Sequence, residues 1–194
     1  MRSLEPLRGL HIFMRAIPKI LAQRPAAQIL IVGDETKSPC GVQAPKGQTW
    51  KAHYFAEIES KIKPGHVHFT GALAYRDFLS ALQISSAHVY LTYPFVLSWS
   101  LIEAMSCGCL VIASDTGPVR DVIDGENGIR FPFFASEQLA DHVIDALAHP
   151  ARYQQMRSNA RAHAVDKFDM RRRCVPQFLA TLGKEPVQSW LANA

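Results

Sequence analysis

Residues Ala87 to Ala113, AHVYLTYPFVLSWSLIEAMSCGCLVIA, decide the fold. They open on a short apolar run, Ala87-His88-Val89-Tyr90-Leu91, and pass through a loop, Pro94 to Trp99. Ser100 to Ser106 follows with helical spacing, and Cys109-Leu110-Val111-Ile112-Ala113 closes the stretch as the most hydrophobic run of the chain. A strand, a helix and a second strand in that order read as one βαβ unit of a parallel sheet.

The same alternation extends both ways. Upstream, Gly9 to Gln23 places Leu10, Phe13, Met14, Ile17, Ile20 and Leu21 on one helical face, with Pro18 as a potential kink. Ala27 to Val32, ending at Gly33-Asp34, reads as a strand buried on both faces. After a Pro-, Gly- and Lys-rich loop from Thr36 to Gln48, helical spacing returns from Trp50 to Ile62 and stops at Pro64-Gly65. His66 to Thr70 is a strand closed by Gly71, and Tyr75 to Ile84 a helix. Downstream come a short helix at Pro118 to Ile123, turns at Asp124-Gly125 and Asn127-Gly128, and a strand at Ile129 to Phe131. Helices are expected at Ser136 to Leu147, Pro150 to Val165 and Met170 to Leu182. The pattern specifies an α/β fold, a doubly wound parallel sheet with helices on both faces, forming a single domain over residues 1–194. Ligands of such sheets bind beyond the carboxyl ends of the strands.

Composition agrees with a globular chain. Of 194 residues, 48% are hydrophobic and 20% charged, enough to bury roughly 70% of the unfolded surface. No apolar run reaches the ~18 residues of a membrane-spanning helix, and the first residues lack a signal peptide's apolar stretch; a cytoplasmic location is expected. A net charge of +4 is too mild, and too poorly interleaved with aromatics, to suggest nucleic acid. Cys40, Cys107, Cys109 and Cys174 form no zinc-like pairing, and Cys107-Gly108-Cys109 reads as buried thiols. No Gly-x-Gly-x-x-Gly, Walker or Gly-x-Ser-x-Gly sequence is present. His66-x-His68 lacks a third ligand and reads as structural. Arg171-Arg172-Arg173 reads as a solvated helix face.

Two constellations remain. The loop before Ser100 ends at a helix start, where unbonded N–H groups and the helix dipole attract anions. Glu103, one turn inside, fits either of two roles: gripping a vicinal diol such as a ribose, or closing a capping box with Ser100. In the N-terminal loop, Arg2 and Arg8 are placed either to clamp a diphosphate or to remain as solvated arginines.

Together these residues resemble the C-terminal, donor-binding domain of retaining group-1 GT-B glycosyltransferases, a Rossmann-like half of a two-domain fold. The resemblance is densest from Leu101-Ile102-Glu103-Ala104-Met105-Ser106-Cys107-Gly108, through Val111-Ile112-Ala113-Ser114-Asp115-Thr116-Gly117, to Asp124-Gly125-Glu126-Asn127-Gly128. Leu4-Glu5-Pro6-Leu7-Arg8-Gly9, Ile29-Leu30-Ile31-Val32-Gly33-Asp34 and Val67-His68-Phe69-Thr70-Gly71 extend it over nearly the whole chain.

The resemblance implies that Arg8 and Glu103 carry the catalytic contribution. Glu103 would bind ribose hydroxyls. Arg2 and Arg8 would hold the diphosphate without a metal or other cofactor. The backbone of Ser98 and Trp99 would complete the phosphate cradle; Gly33, and Thr70 to Leu73, would border the nucleotide. The substrate would be a nucleoside-diphosphate sugar, its glycosyl group passing to an acceptor with retention. The family's first paired glutamate falls at position 95, where this chain has Phe95, and family glycines are replaced by Val96 and Ser98. A catalytically silent nucleotide-binding or interaction module is therefore the alternative reading, and a related sugar-nucleotide epimerase a third. The resemblance also implies a facing N-terminal domain, with the strand preceding Arg2, that this chain lacks. Any membrane association would run through that domain or the acceptor, and the isolated chain is expected to bind nucleotide with little turnover.

Overall fold

A computed structural model describes residues 3–36, 42–94 and 97–183. Arg2, Cys40, Phe95 and Val96 lie outside them. Five short strands alternate with helices. β1 (Ile29–Val32) pairs in parallel with β2 (Val67–Gly71). β3 (His88–Tyr90), β4 (Val111–Ser114) and β5 (Ile129–Phe131) form a second parallel sheet in that order. Among the described residues the strands thus make two parallel sheets of two and three strands, the doubly wound α/β class expected. The other edge of β1 meets Ser3, which bridges Asp34 in parallel, and not β3.

α1 (Leu10–Gln23) lies over both sheets, because it carries two apolar stripes. Leu10, Met14, Ile17 and Leu21 pack with Ile29 and Ile31 of β1. Ile12, Ala16 and Ile20 pack with Leu110, Ile112 and, from α6 (Ser136–Ala148), Leu139 and Val143. Pro18 does not end the helix. Gly9, at φ 71°, starts it. A Cβ there would stand 2.8 Å from Leu91 Cδ1 and nearer still to Leu91 Cβ, so the absence of a side chain lets the loop close onto the end of β3.

The remaining helices flank the sheets: α2 (Trp50–Ala56), α3 (Tyr75–Ile84), α4 (Trp99–Ser106), α5 (Gly117–Arg120), α7 (Gln154–Phe168) and α8 (Val175–Thr181). α3 and α4 contribute to one apolar cluster, Phe78, Leu79 and Leu82 from the first and Leu101, Ala104 and Met105 from the second, together with Val111 and Ala113 of β4.

Four expectations need correction. Leu30 is 46% exposed, so β1 is buried on one face only: the side chains of a strand alternate, and Ile29 and Ile31 take the covered side. The helix expected to Ile62 ends at Ala56 and a separate 3-10 turn spans Glu59–Lys61. A 3-10 turn at Pro150–Tyr153 precedes α7. The last helix is divided: Met170–Cys174 forms a π turn, with the Asp169 carboxylate accepting from Arg172 N–H at 2.7 Å, and α8 restarts around Pro176, which has no N–H to continue the ladder.

Candidate functional site

The loops after β1 and β3 both bond residues 3–9. Leu4 N–H donates to the Asp34 carbonyl at 2.9 Å, tying the segment to the end of β1. Tyr93 N–H donates to the Leu7 carbonyl at 3.0 Å, tying it to the end of β3. Between these anchors Pro6–Arg8 makes a 3-10 turn. Thr92 and Ser114 lock the ends of β3 and β4, since the Ser114 hydroxyl accepts from Thr92 N–H at 3.1 Å and donates to its carbonyl at 3.0 Å.

Arg8 sits half-buried on this turn. Its Nε lies 3.8 Å from the carboxylate of Glu5, and Glu5 is 0% exposed. The Ser3 hydroxyl donates to the same Glu5 oxygen at 2.7 Å. A buried carboxylate held by a hydroxyl and a guanidinium fixes the cation that projects from the turn. Sequence reading missed Glu5, whose only signal was its place three residues before Arg8.

Tyr90 joins the end of β3 to the start of α4. Burial pushes the Tyr90 phenol up, while the bond from the Ser98 amide and the charge of Arg8 pull it the other way. Ser98 N–H donates to the Tyr90 hydroxyl at 3.0 Å, so the Ser98 amide is already engaged. The Ser98 side chain caps α4, accepting from Ser100 N–H at 3.4 Å. The Ser100–Glu103 capping box is therefore replaced by a Ser98 cap. The Trp99 N–H, in the first turn of α4, is one of the donors a helix leaves unbonded, and its indole is 71% exposed.

Glu103 stands one turn beyond Trp99, on the same face of α4. The negative charge of Glu103 pushes up the phenol of Tyr75, the first residue of α3. Tyr75 was also absent from the sequence candidates, since it reads as the start of an apolar helical stripe. No ion pair joins Glu103 to Arg8 among the described residues; the two approach the site from α4 and from the residues 3–9 segment respectively.

The other candidates line the first sheet. Gly33 N–H donates to the Gly71 carbonyl at 3.0 Å, joining the ends of β1 and β2. The Thr70 hydroxyl is spent locally on the Gly71 carbonyl at 3.0 Å. Leu73 follows in the loop into α3, half-buried and two residues before Tyr75. The site is thus a row of loops at the carboxyl ends of parallel strands, with the Arg8 cation, a helix start, and the Glu103 carboxylate one turn inside that helix. It suits an anion joined to a hydroxyl-bearing ring.

The rejected candidates have structural partners. His68 bonds Gln28 Oε1 at 2.8 Å and His66 the Ala27 carbonyl at 3.1 Å, both across the β1–β2 seam. Cys109 is buried and donates to the Leu82 carbonyl at 3.1 Å; burial pushes its thiol up to about 11. Cys107 is only half-buried. A separate cavity of about 610 Å³ opens along α7, lined by Arg161, Asp166, Asp169, Arg172 and Arg173 among others. Its charges are spent locally: Arg173 pairs Asp166 at 2.7 Å and Arg161 donates to the Ser106 carbonyl.

Comparison with known proteins gives this geometry a context. The family described as glycosyl transferases group 1 matches residues 1–163. A phosphatidyl-myo-inositol mannosyltransferase of Mycolicibacterium smegmatis is 31% identical over 152 residues, covering 74% of this chain and 33% of that protein. A GDP-mannose-dependent monoacylated alpha-(1-6)-phosphatidylinositol monomannoside mannosyltransferase of Corynebacterium glutamicum is 24% identical over 169 residues, covering 82% of this chain and 40% of its own. The chain therefore spans between a third and two fifths of these relatives. Among solved structures, Anabaena HepE in complex with UDP-glucose superposes with a TM-score of 0.73 at 23% identity, over 93% of this chain and 46% of that one. The C-terminal domain of a group 1 glycosyl transferase, LpcC of Francisella tularensis, gives 0.74 at 19% identity, over 87% and 83%. At these identities the structural likeness speaks for the fold.

Proposed function

Since the chain belongs to the group 1 glycosyl transferases, we propose that it is the donor-binding domain of such an enzyme, gripping the nucleoside-diphosphate part of a nucleotide-sugar. The observation that carries this reading is the seating of Arg8. A buried Glu5 holds it from behind, on a segment bonded to the ends of β1 and β3. In the proposed complex Arg8 neutralises the diphosphate, the Trp99 amide and the α4 dipole add to it, and Glu103 accepts from the ribose hydroxyls. Gly33, Thr70 and Leu73 border the base; Arg2, outside the described residues, would be a second cation.

The reaction proposed is transfer of a glycosyl group to an acceptor with retention. The bond between the sugar's anomeric carbon and the diphosphate oxygen breaks, a bond to the acceptor oxygen forms, and the diphosphate leaves with the electron pair and takes up the proton that the acceptor hydroxyl gives up. Preorganised positive charge at the leaving group is the share of catalysis this domain supplies, with no metal ion required. The names of the relatives favour a mannosyl donor carried on GDP; the UDP-glucose complex of HepE keeps UDP in view. A facing N-terminal domain would supply the acceptor site, and a cytoplasmic location follows from nucleotide-sugar use. The silent-module alternative stays open because Phe95 stands where the family's first glutamate belongs.

Calorimetric titration with GDP, UDP and ADP tests the reading. Arg8→Gln and Glu103→Ala should each weaken the preferred nucleotide by about tenfold, the loss of one charge-assisted contact. Failure of all three nucleotides to bind at millimolar concentration would sink it.

A further inference from the structure

Beside the Arg8 turn the strand ends carry an aromatic surface that no part of the nucleotide cradle uses. Its centre is Tyr93, whose backbone is fixed on both sides. The Tyr93 N–H donates to the Leu7 carbonyl at 3.0 Å, and its carbonyl accepts from the Thr92 hydroxyl at 3.0 Å. The first bond lands on the residue that immediately precedes Arg8, so the tyrosine stands beside the turn that carries the cation. The ring is held as well. It meets Phe133 edge to face, with centroids 5.8 Å apart and planes at 83°, and Phe133 is itself buried in the cluster that α1 and α6 share. Phe133 makes the same kind of contact with Phe134 at 5.0 Å. A packed ring thus supports two outer ones, Tyr93 at 47% and Phe134 at 70% exposure. Single exposed apolar residues are common on any protein surface; here Leu7, Tyr93 and Phe134 are exposed together. The Tyr93 hydroxyl has no partner among the described residues, whereas the Tyr90 hydroxyl accepts from the Ser98 amide and that of Tyr153 donates to Asp145.

We propose that Tyr93 is the platform for the glycosyl group of the bound nucleotide-sugar, its ring covering one face of the sugar and its hydroxyl bonding a sugar hydroxyl. The proposal rests on the nucleotide reading above. The occupant follows from connectivity. The glycosyl group is bonded directly to the diphosphate, so a diphosphate paired with Arg8 places the sugar over the residues that adjoin the Arg8 turn, and Tyr93 is the exposed ring bonded to that turn. A hexose offers what this surface has unmatched: a face of C–H groups that leaves water against the ring, and hydroxyls at its rim for the phenol. Because the backbone and the ring are both fixed before the ligand arrives, little ordering of the tyrosine is charged to binding.

The test is a calorimetric titration of the chain with GDP and GDP-mannose, and with UDP and UDP-glucose, in the parent, Tyr93→Phe and Tyr93→Ala. Each pair of ligands differs only in the glycosyl group. For the pair that the parent prefers, Tyr93→Ala is expected to weaken the nucleotide-sugar by about five- to tenfold and to leave the nucleoside diphosphate within about twofold. Tyr93→Phe keeps the ring on Phe133 and is expected to lose about two- to threefold, on the nucleotide-sugar alone. An equal loss on both members of the pair in Tyr93→Ala would overturn the proposal, since Tyr93 would then act only by holding the Arg8 turn. So would unchanged affinity of Tyr93→Ala for the nucleotide-sugar, which would leave the aromatic surface to another occupant, such as a facing domain. Binding of a nucleoside diphosphate but of neither nucleotide-sugar by the parent would overturn it too. In those three cases the nucleotide reading survives. Failure of the parent chain to bind GDP and UDP alike would overturn the reading and the role of Tyr93 together.

Discussion

Glu5 is fully buried, and Ser3 and Arg8 are among the groups that hold its carboxylate. Ser3 gives it a hydrogen bond at 2.7 Å and Arg8 a cation at 3.8 Å. Removing the charge while keeping the shape should therefore hurt twice. Glu5→Gln is expected to lower stability by about 1–3 kcal/mol, read from urea unfolding midpoints, and to weaken nucleotide binding through a freed Arg8. Arg8→Gln should weaken binding comparably without acting through Glu5, so the double variant should bind no worse than Arg8→Gln alone. At this scale the sequence was only half legible. Arg8 and Glu103 stood out because a cation beside Gly-Pro loop residues and an acid inside a helix start have recognisable chemistry. Glu5 did not, because its place behind Arg8 depends on burial, which spacing does not report. Ser98 shows the opposite failure: its amide looked available, and only the folded position of Tyr90 reveals that it is taken.

Elements were read more fully than residues. Helix α3 and strand β5 begin and end where apolar spacing and turn residues place them, α3 by its apolar stripe and β5 by Gly128 and Pro132 on either side. Boundaries slipped where backbone bonding, not hydrophobic spacing, decided the outcome, as at the π turn before α8 and the 3-10 turn before α7. The junction at Gly9 combines both influences. The sequence offers a glycine before an apolar stripe; the fold demands a positive φ of 71° there and leaves no room beside Leu91. Gly9→Ala should accordingly cost about 2–4 kcal/mol, the left-handed penalty plus overlap in a packed contact. Because Gly9 joins the Arg8 turn to α1, relief of the clash should also displace Arg8. The measurable outcome is a lowered thermal midpoint together with weaker nucleotide binding. A full-strength binder with unchanged stability would show that the close approach of Gly9 to Leu91 is not maintained in solution.

At the scale of the whole molecule, the α/β class and parallel strands were legible, whereas the division into two sheets was not, since apolar runs identify strands but not which edges meet. What holds the sheets together is visible only in three dimensions. α1 packs one stripe on β1 and another against the β3–β5 side, and residues 3–9 bond both Asp34 and Tyr93. Arg8 lies on that same connecting segment, while Glu103 and the start of α4 belong to the second sheet's side. A ligand held by both would brace the junction, and its binding free energy would add to the stability of the entire domain. At a nucleotide concentration one hundred times the Kd this amounts to about 2.7 kcal/mol, which for a chain of this size raises the thermal midpoint by roughly 5–10 °C. Arg8→Gln and Glu103→Ala, measured at the same nucleotide concentration, should lose about half or more of that rise even though each starts from its own baseline. Hydrogen exchange distinguishes bracing from a local effect. Slowed exchange at β1 as well as at α4 on adding nucleotide is the expected result. Slowing confined to α4 would mean that the ligand engages one side only and that Arg8 takes no part in holding it.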